Sequence, residues 1–217
     1  MSTIQGFIFD MDGVLVDSEP LYMEQERDSY ARHGVVLDEM SLSRFVGTTQ
    51  RHMWSVIKAE YGLVESLDCL MAEHHQQLMT MLASVPLPPM PGVTTLLGAL
   101  QVAGIPCAVA SSSPRELVEL VLRNAGLHLF FNETVCGDDV ERSKPHPEIF
   151  LKAAMQLDIP PSSCVVIEDS THGVAAAKAA TMFCVGLLNP NSGQQDLSAA
   201  DLCVHQHSEI NHWFFRR

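Results

Sequence analysis

Positive charge is scarce in this chain. Its 217 residues carry 13 lysines and arginines against 26 aspartates and glutamates, a formal net charge of -13. Such an acidic balance argues against general binding to nucleic acid or to anionic membranes. No lysine occurs between Lys58 and Lys144, so an anionic substrate would have to be held by a few local cations. Long apolar runs are missing too, none reaching the roughly 18 residues that a membrane span needs. No charged leader followed by an apolar stretch opens the chain, and a cytoplasmic location is therefore expected. The six cysteines (Cys69, Cys107, Cys136, Cys164, Cys184, Cys203) are dispersed and form no C-x-x-C pair. Five lie in or beside short apolar runs, and the six read as buried, reduced thiols. His74-His75 and His205-x-His207 have no Cys or His partner at ligand spacing, so surface histidines are expected there rather than zinc. Repeats and low-complexity tracts are absent.

What the chain does have is a conspicuous first strand. Ile4 to Phe9 is mostly apolar and runs into Asp10-Met11-Asp12-Gly13. A strand of this kind suits a buried parallel sheet, where ligands bind beyond the carboxyl ends of the strands. Side chains two apart in an extended segment point the same way, so Asp10 and Asp12 should face one crevice. Two carboxylates held together repel unless a cation or proton lies between them.

Beyond this turn the pattern becomes helical. Glu19 to Arg32 predicts one helix, and Met53, Trp54, Ile57 and Tyr61 mark a second. Leu67, Leu70, Met71, His74, Leu78, Met81 and Leu82 predict a third of about four turns. No strand is evident here, and Pro86-Leu87-Pro88-Pro89-Met90-Pro91-Gly92 closes the stretch as a stiff boundary. Residues 17–86 are thus expected to form a helical insert, and residues 1–16 with 87–217 the main domain. From Pro91 onward strands and helices alternate. Strands are expected at 106–110, 133–136, 164–167, 183–188 and 202–204, with helices between them. This order predicts an α/β fold, a doubly wound parallel sheet of Rossmann-like type with a small helical domain inserted after the first strand. Trp213-Phe214-Phe215 should pack on that domain from a terminal helix, and methionines should fill the insert's core.

Polar residues gather where strands end: Asp10 and Asp12, Ser111-Ser112-Ser113-Pro114, and Glu168-Asp169. Lys144 precedes Pro145, which favours an extended backbone. Several acidic oxygens suit a hard divalent ion such as Mg2+, which leaves coordination places for phosphate and water. Ser113 is expected as the N-cap and Pro114 as the first residue of the next helix, whose free N–H groups would favour an anion. Lys144 would supply the point charge that the chain otherwise lacks. Together these pieces describe a phosphoryl group held by a lysine, a serine loop and a metal, beside an aspartate able to attack it.

With Asp10-Met11-Asp12-Gly13-Val14-Leu15-Val16-Asp17-Ser18, Ala110-Ser111-Ser112-Ser113, Ser143-Lys144-Pro145-His146-Pro147 and Glu168-Asp169-Ser170 in that order, the chain resembles the haloacid dehalogenase superfamily of aspartate-nucleophile phosphotransferases. The insert looks like the cap of the subgroup that includes β-phosphoglucomutase and many small sugar phosphatases. The resemblance implies Asp10 as nucleophile, Asp12 as general acid and base, and Ser111, Ser112 and Lys144 as phosphate ligands. It implies Mg2+ held by Asp10, the Asp12 carbonyl, Glu168 and Asp169. Substrate contacts from the insert would involve Glu19, Tyr22, Gly47, Thr48 and Arg51. β-Phosphoglucomutases carry a histidine where this chain has Tyr22, and an arginine where it has Gln50. A phosphatase of a small phosphorylated metabolite, acting as a monomer, is therefore expected ahead of a phosphomutase.

Overall fold

The computed structural model describes residues 4–38, 41 and 50–215. It divides into two compact units, Met1–Glu19 with Pro86–Arg217, and Pro20–Val85. Among the described residues, no helix is long and apolar enough to cross a membrane.

The first unit is built on six parallel strands: β1 (Gly6–Phe9), β2 (Cys107–Ala110), β3 (Glu133–Val135), β4 (Cys164–Glu168), β5 (Phe183–Leu187) and β6 (Leu202–Val204). Their order across the sheet is β3-β2-β1-β4-β5-β6. Phe7 pairs with Cys107 on one side and Val165 on the other, so β1 is central. The chain winds from β1 through β2 to β3, then crosses back over β1 to start again at β4. The strand order reverses at β1, and in doubly wound sheets ligands bind at that reversal, beyond the carboxyl ends.

Strand alternation sorts the core onto two faces. Ile8, Ala108, Val166 and Cys184 share a buried cluster with Ile149, Phe150, Ala153 and Ala154 of α6 (Glu148–Gln156) and Val174, Ala176 and Ala177 of α7 (Thr171–Ala179). The alanines of α7 keep its backbone close to the strands. Phe7 points to the opposite face and meets Phe214 of the terminal helix α8 (His207–Phe215) edge-on, with ring centroids 5.0 Å apart. Trp213 stacks on Phe183 at 5.0 Å, so the terminal aromatics pack on their own domain as their spacing predicts. Helix α4 (Val93–Val102) packs beside α8, and α5 (Arg115–Asn124) buries Leu117, Val118, Val121 and Leu122.

The second unit holds α1 (Glu19–Arg32, whose first residue belongs to the other unit), α2 (Gln50–Tyr61) and α3 (Leu67–Ser84). At 18 residues α3 starts at Leu67 as its apolar spacing suggests and runs past Leu82 to Ser84. Ser66 caps it, accepting the Cys69 N–H at 3.2 Å. The core here centres on Trp54, packed with Tyr30, Met53, Ile57 and Leu70. The Tyr30 hydroxyl donates to the Met53 sulfur at 2.8 Å, a contact that a thioether can accept. No strand occurs among the described residues of this unit.

Two expectations need correction. His74 and His207 are buried, not on the surface. Both alternate with the helical period onto an inward face; His74 lies against Ser29 Oγ at 3.2 Å. Cys69 and Cys203 are exposed, whereas the other four cysteines are buried as expected. Cys69 sits on the outer face of α3 and Cys203 on the outward register of the edge strand β6.

His207 is fully buried, and among the described residues its ring nitrogens make no well-formed hydrogen bond, although the Pro91 backbone lies close enough to oppose the effect of burial slightly. Burial therefore pushes its pKa down to about 4. The unfolded chain, with an ordinary histidine near 6.5, binds a proton that the folded chain refuses. Stability from this group is full above pH 6.5 and declines as pH falls toward 4. We expect His207→Leu to be insensitive to this contribution. The wild type should lose about 2 kcal/mol relative to that variant between pH 7.5 and pH 5, measured by urea unfolding.

Candidate functional site

The chemistry gathers at the carboxyl ends of the three adjacent strands β2, β1 and β4. Asp10 directly follows β1, and its N–H donates to Ile167 O of β4 at 3.0 Å, which holds it in the line of the sheet. Glu168 is the last residue of β4 and is 1% exposed. Asp169 follows it. Carboxylate oxygens of Asp10, Glu168 and Asp169 lie within 4.8 Å of one another, all three residues buried. Among the described residues, this is the one such group of His, Cys, Asp or Glu, and it contains no histidine.

Lys144 provides the countercharge. Its ammonium donates to Asp10 Oδ1 at 2.5 Å, Glu168 Oε1 at 2.7 Å and the Ala110 carbonyl at 3.0 Å. An ammonium has three donors, so these contacts employ all of them and bind the ends of β1, β2 and β4 together. Burial alone would push the lysine pKa down, but Asp10 and Glu168 outweigh it and hold the group above its ordinary value. The segment carrying Lys144 is a turn rather than an extended run, and the Lys144–Pro145 peptide is cis.

One cation does not balance three carboxylates. Burial raises the Asp10 pKa well above the ordinary carboxylate value; Lys144 opposes this, while Glu168, Asp169 and Asp12 add to it. Burial, then Glu168, raises Asp169 to about 7. Excess negative charge among hard oxygen donors is what a divalent cation relieves, and the donor set fits Mg2+. Glu168 has its second oxygen occupied by the N–H groups of Asp169 (2.9 Å) and Ser170 (3.0 Å) and the Ser170 hydroxyl (2.9 Å). A Cβ at Gly173 would collide with this carboxylate, so α7 can start here only with glycine in its first turn.

Asp12 is placed differently from Asp10. It takes hydrogen bonds from Ser18 Oγ at 2.5 Å and Ser113 Oγ at 3.2 Å, and is not part of the three-carboxylate group. Hydroxyls can donate to a carboxylate or accept from a carboxylic acid, so this setting accommodates either protonation state. The Ser113 bond corrects an expectation. Pro114 occupies the N-cap position and α5 starts at Arg115, because Ser113 spends its hydroxyl on Asp12 across the crevice. Ser111 is buried, and its Oγ accepts the Ser113 N–H at 3.2 Å, while Ser112 stays exposed. The loop is pinned from below by the Gly137 N–H, which donates to Ser113 O at 2.9 Å.

Structure thus brings Asp10, Asp12, Ser111, Ser112, Lys144, Glu168 and Asp169 into one crevice region at the ends of adjacent strands. Glu19 belongs to the same unit. Burial raises its carboxyl pKa, and Asp12 and Asp17 add to the shift. Tyr22 is half-buried on α1. Arg51 on α2 is exposed and paired with Asp68 at 2.6 Å. Gly47 and Thr48 lie outside the described residues.

Sequence reading missed the segment after β5. Asn189 Nδ2 donates to Gly13 O at 3.2 Å, Asn191 Nδ2 to Asp17 Oδ2 at 2.6 Å, and Ser192 Oγ to Asp169 Oδ2. Gly13 has φ +77°, and a Cβ there would collide with the Asp169 carboxylate. The signal available was a polar Asn189-Pro190-Asn191-Ser192 run directly past a strand end, on the side of the sheet where the motifs lie.

The uncompensated charge has a measurable consequence. A carboxyl raised to about 7 destabilises the folded chain progressively as pH rises from about 3.8 toward 7; the effect is complete above that and absent below about pH 3.8. We expect metal-free Asp169→Asn to melt above metal-free wild type at pH 8, by roughly 2–4 °C per kcal/mol of relieved repulsion. Mg2+ should raise the melting temperature of the wild type and do so much less in the variant, as read by calorimetry with and without chelator.

Comparison with known proteins agrees with this architecture. The chain is 33% identical over 209 residues to a validoxylamine A 7'-phosphate phosphatase of Streptomyces hygroscopicus subsp. limoneus, covering 94% of each chain. It is 33% identical over 210 residues to a phosphorylated carbohydrates phosphatase of Thermotoga maritima, covering 95% of this chain and 96% of the other. A solved Thermotoga maritima structure with a provisional β-phosphoglucomutase assignment superposes with a TM-score of 0.84 at 31% identity, covering 97% of this chain and 98% of that one. A family model, haloacid dehalogenase-like hydrolase, matches residues 4–181. With a first strand that delivers Asp10 and Asp12, a serine loop, a buried lysine and an acidic pair in that order, this chain belongs to the haloacid dehalogenase-like hydrolases.

Proposed function

We propose that the protein is a Mg2+-dependent phosphatase that hydrolyses small phosphorylated metabolites, sugar phosphates above all, through an aspartyl-phosphate on Asp10. The observation that carries this is the buried meeting of Asp10, Glu168 and Asp169 with Lys144 at the carboxyl ends of β1, β2 and β4. The phosphatase names of relatives that span nearly the whole chain support it.

In the first half-reaction an Asp10 oxygen forms a bond to phosphorus as the bond from phosphorus to the leaving oxygen breaks. Asp12 gives its proton to that leaving oxygen, and the dephosphorylated metabolite departs. In the second half, the Asp12 carboxylate takes a proton from water as the water oxygen attacks phosphorus. The bond from phosphorus to Asp10 breaks, inorganic phosphate leaves, and Asp10 returns as carboxylate. Lys144, Ser111 and the Ser112 N–H hold the phosphoryl oxygens. Mg2+, when bound by Asp10, Glu168, Asp169 and the Asp12 carbonyl, neutralises the carboxylates that would otherwise repel an anionic substrate. The hydroxyls of Ser18 and Ser113 suit Asp12 to a role in which it both gives and takes a proton.

The helical insert, Pro20–Val85, acts in this scheme as the cap that reads the rest of the substrate through Tyr22, Gly47, Thr48 and Arg51, with Glu19 at its root. A phosphomutase of the β-phosphoglucomutase kind is the second possibility, favoured by the structural match at a TM-score of 0.84. A mutase binds a second phosphate. Arg51, a cation available for it, is engaged by Asp68, and Tyr22 stands where mutases carry histidine. Hydrolysis is therefore preferred.

With a generic aryl phosphate and Mg2+, Asp10→Asn should abolish turnover and phosphate incorporation, and Asp12→Asn should lower kcat about 10²–10⁴-fold. Equal rates in wild type and Asp10→Asn would refute the mechanism. A panel of phosphorylated metabolites should release inorganic phosphate. Efficient conversion of β-glucose 1-phosphate to glucose 6-phosphate in the presence of glucose 1,6-bisphosphate would instead establish the mutase.

A further inference from the structure

The segment that follows β5 lies outside the four motif stretches, yet it touches two of them. Ser192 Oγ donates to Asp169 Oδ2, the carboxylate on the acidic loop after β4. Asn189, itself 8% exposed, donates to the Gly13 carbonyl at 3.2 Å, on the loop after β1. The same amide reaches Asp17 Oδ1 at 3.5 Å, and Asn191 Nδ2 holds Asp17 Oδ2 at 2.6 Å. The segment is shaped by its own contacts as well. Asn189 Oδ1 accepts the Asn191 N–H at 3.0 Å, and the short helical turn Pro190–Ser192 follows. Gln195 then fastens it to the start of α7, its Nε2 donating to Ser192 O at 2.9 Å and its Oε1 accepting the Thr171 N–H at 2.9 Å. The run 189–195 therefore spans from the nucleophile's loop to the acidic loop.

Asp169 is the carboxylate with most need of such a partner. Glu168 has Lys144 and three donors from residues 169 and 170, and Asp10 has Lys144. Lys144 has no hydrogen bond left for Asp169, because its three donors go to Asp10, Glu168 and Ala110. Gly13 leaves room for the approach: a Cβ there would strike both the Asp169 carboxylate and Ser192 Oγ. A hydroxyl donating to one carboxylate oxygen fixes the rotamer and turns the other oxygen to a set direction. Groups that orient metal-binding carboxylates in this way govern metal affinity as much as some ligands do.

We propose that Ser192, carried by the Asn189–Ser192 turn, is a positioning residue for the metal centre that aims the Asp169 carboxylate at the ion shared with Asp10 and Glu168. This rests on the Mg2+-dependent phosphatase assignment above. The role assigned to Ser192 runs through the Asp169 carboxylate that its hydroxyl holds. Its effect is on how tightly the ion is held, and excess Mg2+ compensates for its loss.

The test is Mg2+ binding to the intact Ser192→Ala protein by isothermal titration calorimetry, alongside its melting temperature in chelator. Mg2+ affinity should fall at least threefold, with about 10–100-fold typical of lost partners of this kind. The metal-free melting temperature should stay within a few degrees of the wild type. In activity assays the Mg2+ concentration for half-maximal rate should rise in parallel, while kcat at saturating Mg2+ recovers. A smaller change in Mg2+ affinity overturns the proposal, and so does a loss accompanied by a large fall in metal-free melting temperature, which would mark Ser192 as structural. These outcomes leave the phosphatase assignment standing. A wild-type protein that binds no Mg2+ overturns both.

Discussion

The Lys144 ammonium, seated between Asp10, Glu168 and the Ala110 carbonyl, is the interaction on which the site depends. Three strands of the sheet end in polar groups that burial makes costly, and one cation reaches all three. An unpaired buried carboxylate costs several kcal/mol, and removing one partner of a buried pair exposes that cost. Lys144 is 8% exposed and Glu168 1%, so solvent screens this contact little. The acidic chain concentrates one of its few lysines where the fold most needs positive charge.

From that contact the rest of the site follows by charge balance. Lys144 cannot neutralise three carboxylates; burial first, and then the surplus negative charge, raise the pKa values of Asp10 and Asp169. The surplus is also what makes the group suited to a hard cation and, through it, to a phosphate ester. Asp12 stands apart from the three-carboxylate group and takes hydrogen bonds from two hydroxyls, those of Ser18 and Ser113. The two aspartates of one turn thus differ in surroundings, which is consistent with the distinct roles proposed for them. Interlocking glycines permit the crowding: Gly13 admits the Asp169 carboxylate and Gly173 that of Glu168.

Much of the architecture could be read in advance because its signals are local. The apolar first strand, the alternation of strands and helices after Pro91 and the helical period of residues 67–82 all reflect which face of an element is buried. Side-chain partners across the crevice were not legible. Ser113 looked like an N-cap, since Ser before Pro commonly starts a helix, but Asp12 lies 101 positions away in sequence and takes its hydroxyl. His74 and His207 looked like surface residues because polarity was judged residue by residue. Packing buried them, His207 without a well-formed hydrogen bond to its ring nitrogens among the described residues. The Asn189–Ser192 turn carries no motif, and its role appears only when β5 is placed two strands from β1.

What the sequence determined alone was the order of parts: an acidic turn after the first strand, a helical insertion, a serine loop, a lysine before proline and an acidic pair after a later strand. Those features rest on composition and period over a few residues, and need no knowledge of distant neighbours. Tertiary structure decided which groups meet. It put β1 between β2 and β4, and so brought Asp10, Ala110, Lys144 and Glu168 together from four separate stretches of chain. The reason is that parallel strand order is set by burial of both sheet faces at once. The balance of charge at the strand ends is a consequence of that order, written in no single segment.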